Sequence, residues 1–379
     1  MNEIINPMLD YSDEPMPWDK PVRSAAEEAE LQAKKDVGLV SDGRKKHKNP
    51  TYKRKTFTDK DGVVLAFLAK MRVANTEQLS RLSYIDGTKR FVSIATMNRR
   101  LLGLAEAGMI TRIVYRGYES LWAVTKAGVA QAQLMGFLIR DNEVDPSYKR
   151  DHNLSELPHT LAISQIAAIL LSPMPFIKPL DCGSFDEIIS EYEVRSAWSS
   201  VMNELDAEAK REDRAKSSFV AWREGMKRDV LERLQEGRTS WDEVLEEQPA
   251  FWTVALSQVG AEHRFAKAHH HPDLVVNFEH KRTGVAPRSY AIEIERKPKT
   301  TIGYEAMLEL WSQEFAAKMP VYSKVVYFTN NQKAISRLKV ADKKYGLIEK
   351  EKLLILPLTN FDKTPYDDSG TGVNLAAKR

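Results

Sequence analysis

Cysteine is almost absent: Cys182 stands alone among 379 residues. One thiol builds neither an internal disulfide framework nor a multi-cysteine zinc ribbon, and such usage suits a reducing compartment. Long hydrophobic runs are missing too. The longest apolar-rich stretch, Leu161 to Leu171, is broken by Ser164 and Gln165 and falls far short of the ~20 residues that span a bilayer. Met1 to Met16 carries Asp10, Asp13 and Glu14 and lacks a basic start followed by an apolar core, so it is not read as a secretory signal. These absences point to a cytoplasmic protein with no membrane partner. There is also no strong excess of one charge. Lys and Arg number 56 against 53 Asp and Glu, a formal net charge of +3. That excludes a uniformly basic coat but leaves local basic patches open, because binding answers to local charge.

What is present suits a folded chain of two or three domains by length. Hydrophobic residues make up 42% and charged residues 29%, too apolar for wholesale disorder. Residues 1–56 read as a basic tail. Pro7, Pro15, Pro17 and Pro21 break any long element there, although Ala25 to Lys35 could form a short helix. The run Arg44, Lys45, Lys46, Lys48, Lys53, Arg54 and Lys55 is either a solvated linker or an arm that tracks DNA phosphates.

Helical periodicity begins after Thr58. Val63, Val64, Phe67 and Leu68 share a face, with Thr58 or Asp59 as N-cap. A second helix is expected near Thr76, and a third from about Ser93 to Ala107, stopping at Gly108. Strands over Ile110 to Tyr115 and Leu121 to Val124 come next. Three helices and then a hairpin, with Leu101-Leu102-Gly103-Leu104 leading into Gly108-Met109-Ile110, resemble the winged helix-turn-helix families over residues 57–138. In such a domain the third helix enters the major groove. The resemblance assigns Arg90, Ser93, Thr96, Arg99 and Arg100 to the DNA face of that helix, and Arg112 and Arg116 to the wing. The other reading makes these arginines a solvated helix face. Residues 139–157 are polar and read as a linker.

The second domain is expected over residues 158–360, with a charged helical insertion at about 199–260 and a tail over 361–379. His159 to Leu171 reads as an apolar helix. Ile188 to Ala197 alternates like a strand carrying Glu191, Glu193 and Arg195 on one side. Pro272 to Phe278 and Ser289 to Lys297 read as a strand hairpin, followed by a helix, a strand, a helix and a final strand over Lys352 to Pro357. Side chains alternate along a strand, so Glu293, Glu295 and Lys297 are expected on one face. Three charges on one face are unusual in a plain core.

Pro272-Asp273 followed by Glu295-Arg296-Lys297, in those two strands, resembles the PD-(D/E)xK, restriction-endonuclease-like superfamily. Joined to the winged helix, the pattern over about residues 58–360 resembles the plasmid replication-relaxation family of bacterial mobile elements. The expected architecture is thus α/β and α+β: an N-terminal winged helix-turn-helix, then a restriction-endonuclease-like α/β domain with a helical insertion. The resemblance implies an Mg²⁺- or Mn²⁺-dependent DNA endonuclease or nicking enzyme serving plasmid replication, relaxation or mobilisation. Asp273, Glu295, Lys297 and Glu293 would be catalytic, with Asp273, Glu295, Glu293 and Glu191 toward the metal and Lys297 steadying charge or water. Implied partners are double-stranded DNA and other replication or mobilisation proteins. A homodimer is compatible with symmetric duplex sites.

Two alternatives stand beside this reading. Glu293 and Lys297 could form ordinary ion pairs with Arg195 or Lys299, and the chain could be a non-catalytic DNA-binding regulator or accessory factor. His269, His270 and His271 read as a polar strand entry rather than a zinc site, one of them close enough to Asp273 to reach a phosphate. His159 reads as a hydrogen-bonded helix-start histidine. No tyrosine-plus-histidine-triad pattern is identified, so no covalent phosphotyrosine mechanism is expected.

Overall fold

A computed structural model describes residues 56–82, 92–115, 118–138, 144, 156–172, 185–213, 215, 218–240, 243–244, 248–255, 269–277 and 289–366. The basic run through Lys45, Lys46, Lys53, Arg54 and Lys55, the helix expected over 25–35, almost all of the expected linker, and residues 367–379 of the expected C-terminal tail lie outside these residues. The chain divides into the units Met1–Thr56 and Phe57–Arg379. The second unit is a mixed α/β structure.

The first helix, α1 (Asp59–Met71), opens with a capping box in which Asp61 reaches back to Thr58. Strand β1 (Ala74–Asn75) leads into helix α2 (Thr76–Ser80), which is capped by Asn75 and Gln78. Helix α3 (Ile94–Glu106) turns Met97, Leu101 and Leu104 inward. Strands β2 (Ile110–Tyr115) and β3 (Tyr118–Val124) pair antiparallel, and β3 also takes β1, giving the order β1-β3-β2. Helix α4 (Lys126–Leu134) packs back on α1. Gly128 is required there: an added Cβ would lie 2.0 Å from the Met109 carbonyl oxygen.

The second half is built on a five-stranded sheet ordered β10-β9-β8-β7-β4. Helix α5 (Leu157–Leu170) precedes β4 (Ile188–Ser190). Helices α6 (Glu191–Arg211) and α7 (Phe219–Gln235) then form the charged insertion. Strands β5 (Val254–Ala255) and β6 (His269–His270) make a small ladder of their own. Strands β7 (Leu274–Val276) and β8 (Tyr290–Ile294) are antiparallel. Helix α8 (Thr301–Ala316), β9 (Lys324–Phe328), α9 (Gln332–Asp342) and β10 (Leu353–Leu356) complete the unit, with β9 parallel to both β8 and β10. Among the described residues no helix is long and apolar enough to cross a membrane.

Alternation sorts the sheet's two faces. Leu274, Val276, Ile292, Ile294, Val326 and Phe328 face one way, in a cluster continuous with α5 and with Val64, Phe67 and Leu68 of α1. Val275, Ala291, Val325 and Tyr327 face the other way, against Tyr304, Leu308 and Trp311 of α8. The helices expected as a free-standing front domain therefore share a core with the sheet. Polar contacts fasten the same junction. Gln78 donates to the Leu161 carbonyl and to Gln165, each at 3.1 Å, and Ser164 donates to the Val73 carbonyl at 2.6 Å. Lys70 of α1, fully buried, donates to the Ile188 carbonyl at 3.1 Å and lies 3.5 Å from Glu193.

One sequence expectation is corrected. The strand foreseen over Ile188 to Ala197 ends at Ser190, and Glu191, Glu193 and Arg195 belong to α6. Ser190 and Glu193 form a reciprocal capping box, with Ser190 N–H donating to the Glu193 carboxylate at 2.7 Å and Glu193 N–H to Ser190 Oγ at 3.3 Å. Two backbone donors at the helix start are thereby satisfied, which favours a helix over a continued strand.

Candidate functional site

Asp273 sits immediately before β7, half-buried. Its Oδ2 accepts from the Ile294 N–H at 2.6 Å, which holds the carboxylate over the end of β8. Its Oδ1 lies 3.2 Å from Nε2 of His159, in the first turn of α5. Its carbonyl accepts from the N–H of Glu191, the first residue of α6, at 3.3 Å. Burial raises the Glu191 carboxyl above its ordinary value and the Asp273 charge adds to this; Arg195, 3.6 Å away, offsets it only partly. Burial alone would lower the His159 imidazole, but the hydrogen bond and charge of Asp273, with help from Glu191, outweigh it and hold the ring above its ordinary value.

Glu293 and Glu295 are both buried. Glu293 lies opposite Tyr327 in the β8–β9 register, on the side facing α8. Its Oε1 is 2.7 Å from His270 Nε2. Burial would depress His270, yet Glu293 first and Asp273 second carry it above its ordinary value. Burial raises the Glu295 carboxyl against the opposing pull of Lys299 and Tyr304. Lys299 contacts the Glu295 carboxylate directly, and its backbone N–H donates to the Tyr304 hydroxyl at 3.2 Å. The Lys299 ammonium loses ground to burial and regains more from Glu295, then from Glu293 and Asp273, ending above its ordinary value. Glu293 and Asp273 both act on His270, and Glu295, Glu293 and Asp273 all act on Lys299. Glu191 belongs to a helix rather than a strand.

Lys297 lies beyond the end of the strand on which it was expected. Strand β8 ends at Ile294, although the Glu295 N–H still donates to the Phe328 carbonyl at 3.0 Å, and Lys297 beyond it is exposed. The chain then turns into the Thr300 cap of α8, and this turn returns Lys299 to Glu295. Two residues missed as partners are His159 and His270. They meet acids 114 and 23 positions away, and nothing local signals such pairings. Arg195 pairs with Glu191 rather than with Glu293.

On the front helices, Ser93 caps α3 by accepting from the Thr96 N–H at 3.2 Å, and its hydroxyl lies 2.9 Å from that of Thr96. Arg99 is exposed on α3 and Arg112 on β2. Arg100 is spent differently: its Nε is 2.7 Å from the buried Asp61 carboxylate, and it also touches the Thr58 hydroxyl, tying α3 to the start of α1. Arg90 and Arg116 lie outside the described residues. Arg100→Ala is expected to lower stability by about 1–3 kcal/mol, because a buried acid loses its charged partner. Urea unfolding measures this, and an unchanged midpoint would show that the pair contributes nothing.

Comparison of the chain with family models, with curated proteins and with solved structures finds no match.

Proposed function

We propose that this chain binds duplex DNA through its front helices and hydrolyses or nicks a phosphodiester bond at the Asp273 cluster. The observation that carries the reading is the Asp273 carboxylate held against the end of β8 by the Ile294 N–H, with Glu293 on that strand and the Lys299–Glu295 pair just beyond it. The element order supports it. The run α5-β4-β7-β8-α8-β9, with β9 parallel to β8, is the order expected of a PD-(D/E)xK, restriction-endonuclease-like domain. The run α1-β1-α2-α3-β2-β3 is compatible with the winged helix-turn-helix reading. The resemblance to the plasmid replication-relaxation family supplies the context: DNA handling on a mobile element, in the cytoplasm, alongside other replication or mobilisation proteins.

The donors suit Mg²⁺ or Mn²⁺, being hard carboxylate oxygens. Among the described residues no three ligating side chains converge. Mg²⁺ asks for only one or two carboxylates, with water and substrate phosphate filling its remaining positions. Asp273 and Glu293 would hold it, with Glu295 and Glu191 nearby. A bound ion would supply charge neutralisation at the phosphate and a more acidic water. Lys299 would stabilise charge developing on the phosphate oxygens. Asp273 would be oriented by the Ile294 N–H on one oxygen and by His159 on the other.

The test is incubation of supercoiled plasmid with the full chain and Mg²⁺ or Mn²⁺. Nicked circles that disappear with EDTA are the expected result; plasmid that stays supercoiled at all protein concentrations rejects hydrolysis. A second reading, a non-catalytic accessory factor, is favoured by one observation: two of the three acids, Asp273 and Glu293, each already contact an imidazole. It would appear as duplex binding without nicking. For the duplex interface, Arg99→Ala combined with Arg112→Ala is expected to weaken binding and to flatten its salt dependence by about one unit of slope for each phosphate no longer neutralised. A gel-shift titration at several salt concentrations checks this, and unchanged binding removes that face from the interface.

A further inference from the structure

Helix α6 leads away from the Asp273 cluster with an ordered face. Glu191, Arg195 and Trp198 are spaced i, i+4, i+7 and therefore share one stripe. Glu191 touches Asp273 through its backbone N–H. Arg195 is about half-exposed, 3.6 Å from Glu191, with its guanidinium 5.9 Å from the Tyr192 ring. Trp198, one turn further on, is partly exposed; it packs beside Val201, Leu205, Phe219 and Ala250, and stacks on His269 with ring centroids 4.2 Å apart and planes 24° apart. His271 meets the same indole edge-on at 5.4 Å. The three consecutive histidines divide as alternation demands. His270 turns to Glu293 and the buried Trp311, while His269 and His271 turn to Trp198, each partly exposed. At 1.5 Å per residue, Glu191 and Trp198 lie about 10 Å apart along the helix, a separation on the scale of one or two nucleotides.

We propose that this stripe is a single-strand nucleotide site: Trp198, backed by His269 and His271, stacks an unpaired base next to the cut, and Arg195 holds the adjoining phosphate. An aromatic platform beside an exposed guanidinium is the combination that binds single strands without reading sequence, since every base has a π-face and every linkage a charge. The location of the stripe rests on the hydrolytic reading of the Asp273 cluster, but binding can be measured without turnover. Duplex DNA would present its bases here only where it is frayed or opened, so the preferred ligand is a single strand.

The experiment uses the full chain carrying Asp273→Asn, in EDTA, with fluorescein-labelled oligothymidylate followed by anisotropy. Trp198→Phe is expected to keep affinity within about threefold. Trp198→Leu is expected to lose fivefold to a hundredfold, the range one stacked base provides. The exposed position makes Arg195→Gln safe for folding, and it should reduce the salt slope by about 0.7, one single-strand phosphate contact. Equal binding by the Phe and Leu variants together with an unchanged slope for Arg195→Gln overturns the site. So does an absence of oligothymidylate binding by the parent protein. A wild type that nicks plasmid while the residue 198 variants bind alike sinks the platform and leaves hydrolysis standing. Weaker binding by Trp198→Leu with no nicking by wild type does the reverse.

Discussion

Asp273→Asn is expected to lower metal-dependent nicking by at least about a hundredfold, the scale on which a preorganised charged group acts at a reacting phosphate. Asparagine keeps an oxygen that can accept from the Ile294 N–H, now at 2.6 Å, so the strand ends stay joined. What it removes is the charge that holds His159 up and that Lys299 senses. The companion variants separate motif from geometry. Lys299→Ala should reduce nicking strongly, whereas Lys297→Ala, at an exposed position, should leave it within a few-fold. Single-turnover nicking rates check all three. If Lys297→Ala is the damaging variant, the lysine assignment made from the Glu295 contact is wrong.

Glu314→Ala is expected to cost about 3–5 kcal/mol, the penalty for stranding a buried charge. Glu314 of α8 is buried and ties α8 to helix α7 of the insertion and to the segment before β9. Its Oε2 is 2.9 Å from Arg223 of α7 and 3.8 Å from Lys227, while its Oε1 accepts from the Val321 N–H at 2.7 Å. Arg223, itself buried, also donates to the Phe251 carbonyl at 2.8 Å. Burial would raise the Glu314 carboxyl, but Arg223 and then Lys227 hold it below its ordinary 4.5. A folded value below the unfolded one means stabilisation that is fully present above 4.5 and fades as pH falls through the lower folded value. Acid unfolding of Glu314→Gln should therefore begin from lower stability and show a shallower decline below pH 4.5. Lys227 behaves differently. Burial and then Arg223 push its ammonium below the ordinary value despite Glu314, so Lys227→Met is expected to be near neutral, within about 1 kcal/mol. Urea unfolding of the variants measures these differences, and a Glu314→Ala cost under 1 kcal/mol would falsify the buried-pair account.

Much of the sheet half was legible because its signals are local. Alternation around Leu274 and Ile292 marked the two central strands, and the periodic apolar residues of 301–316 and 332–342 marked the helices between the later strands. The start of α6 was also readable. Ser190 followed three residues later by Glu193 is a capping-box signature, but the alternation of Ile188 to Ala197 masked it. Asp273 and Glu293 were placed beside and on the paired strands by alternation, whereas the Lys299–Glu295 contact forms in the turn after β8, where alternation no longer applies. The histidine partners and the Arg100–Asp61 tie are products of long-range packing. No pattern within a few residues encodes them.

The Lys70–Glu193 contact carries an evolutionary consequence. Modular proteins exchange their DNA-reading parts by recombination at linkers, and residues 139–157 look like such a seam. A transplanted front half would arrive with a buried ammonium seeking the Ile188 carbonyl and a Glu193 that the new host lacks, and with a Gln78 amide seeking the α5 backbone. Shuffling at that seam is therefore penalised. The front helices and the sheet are expected to be inherited together, with change confined to point substitution at exposed positions such as Arg99.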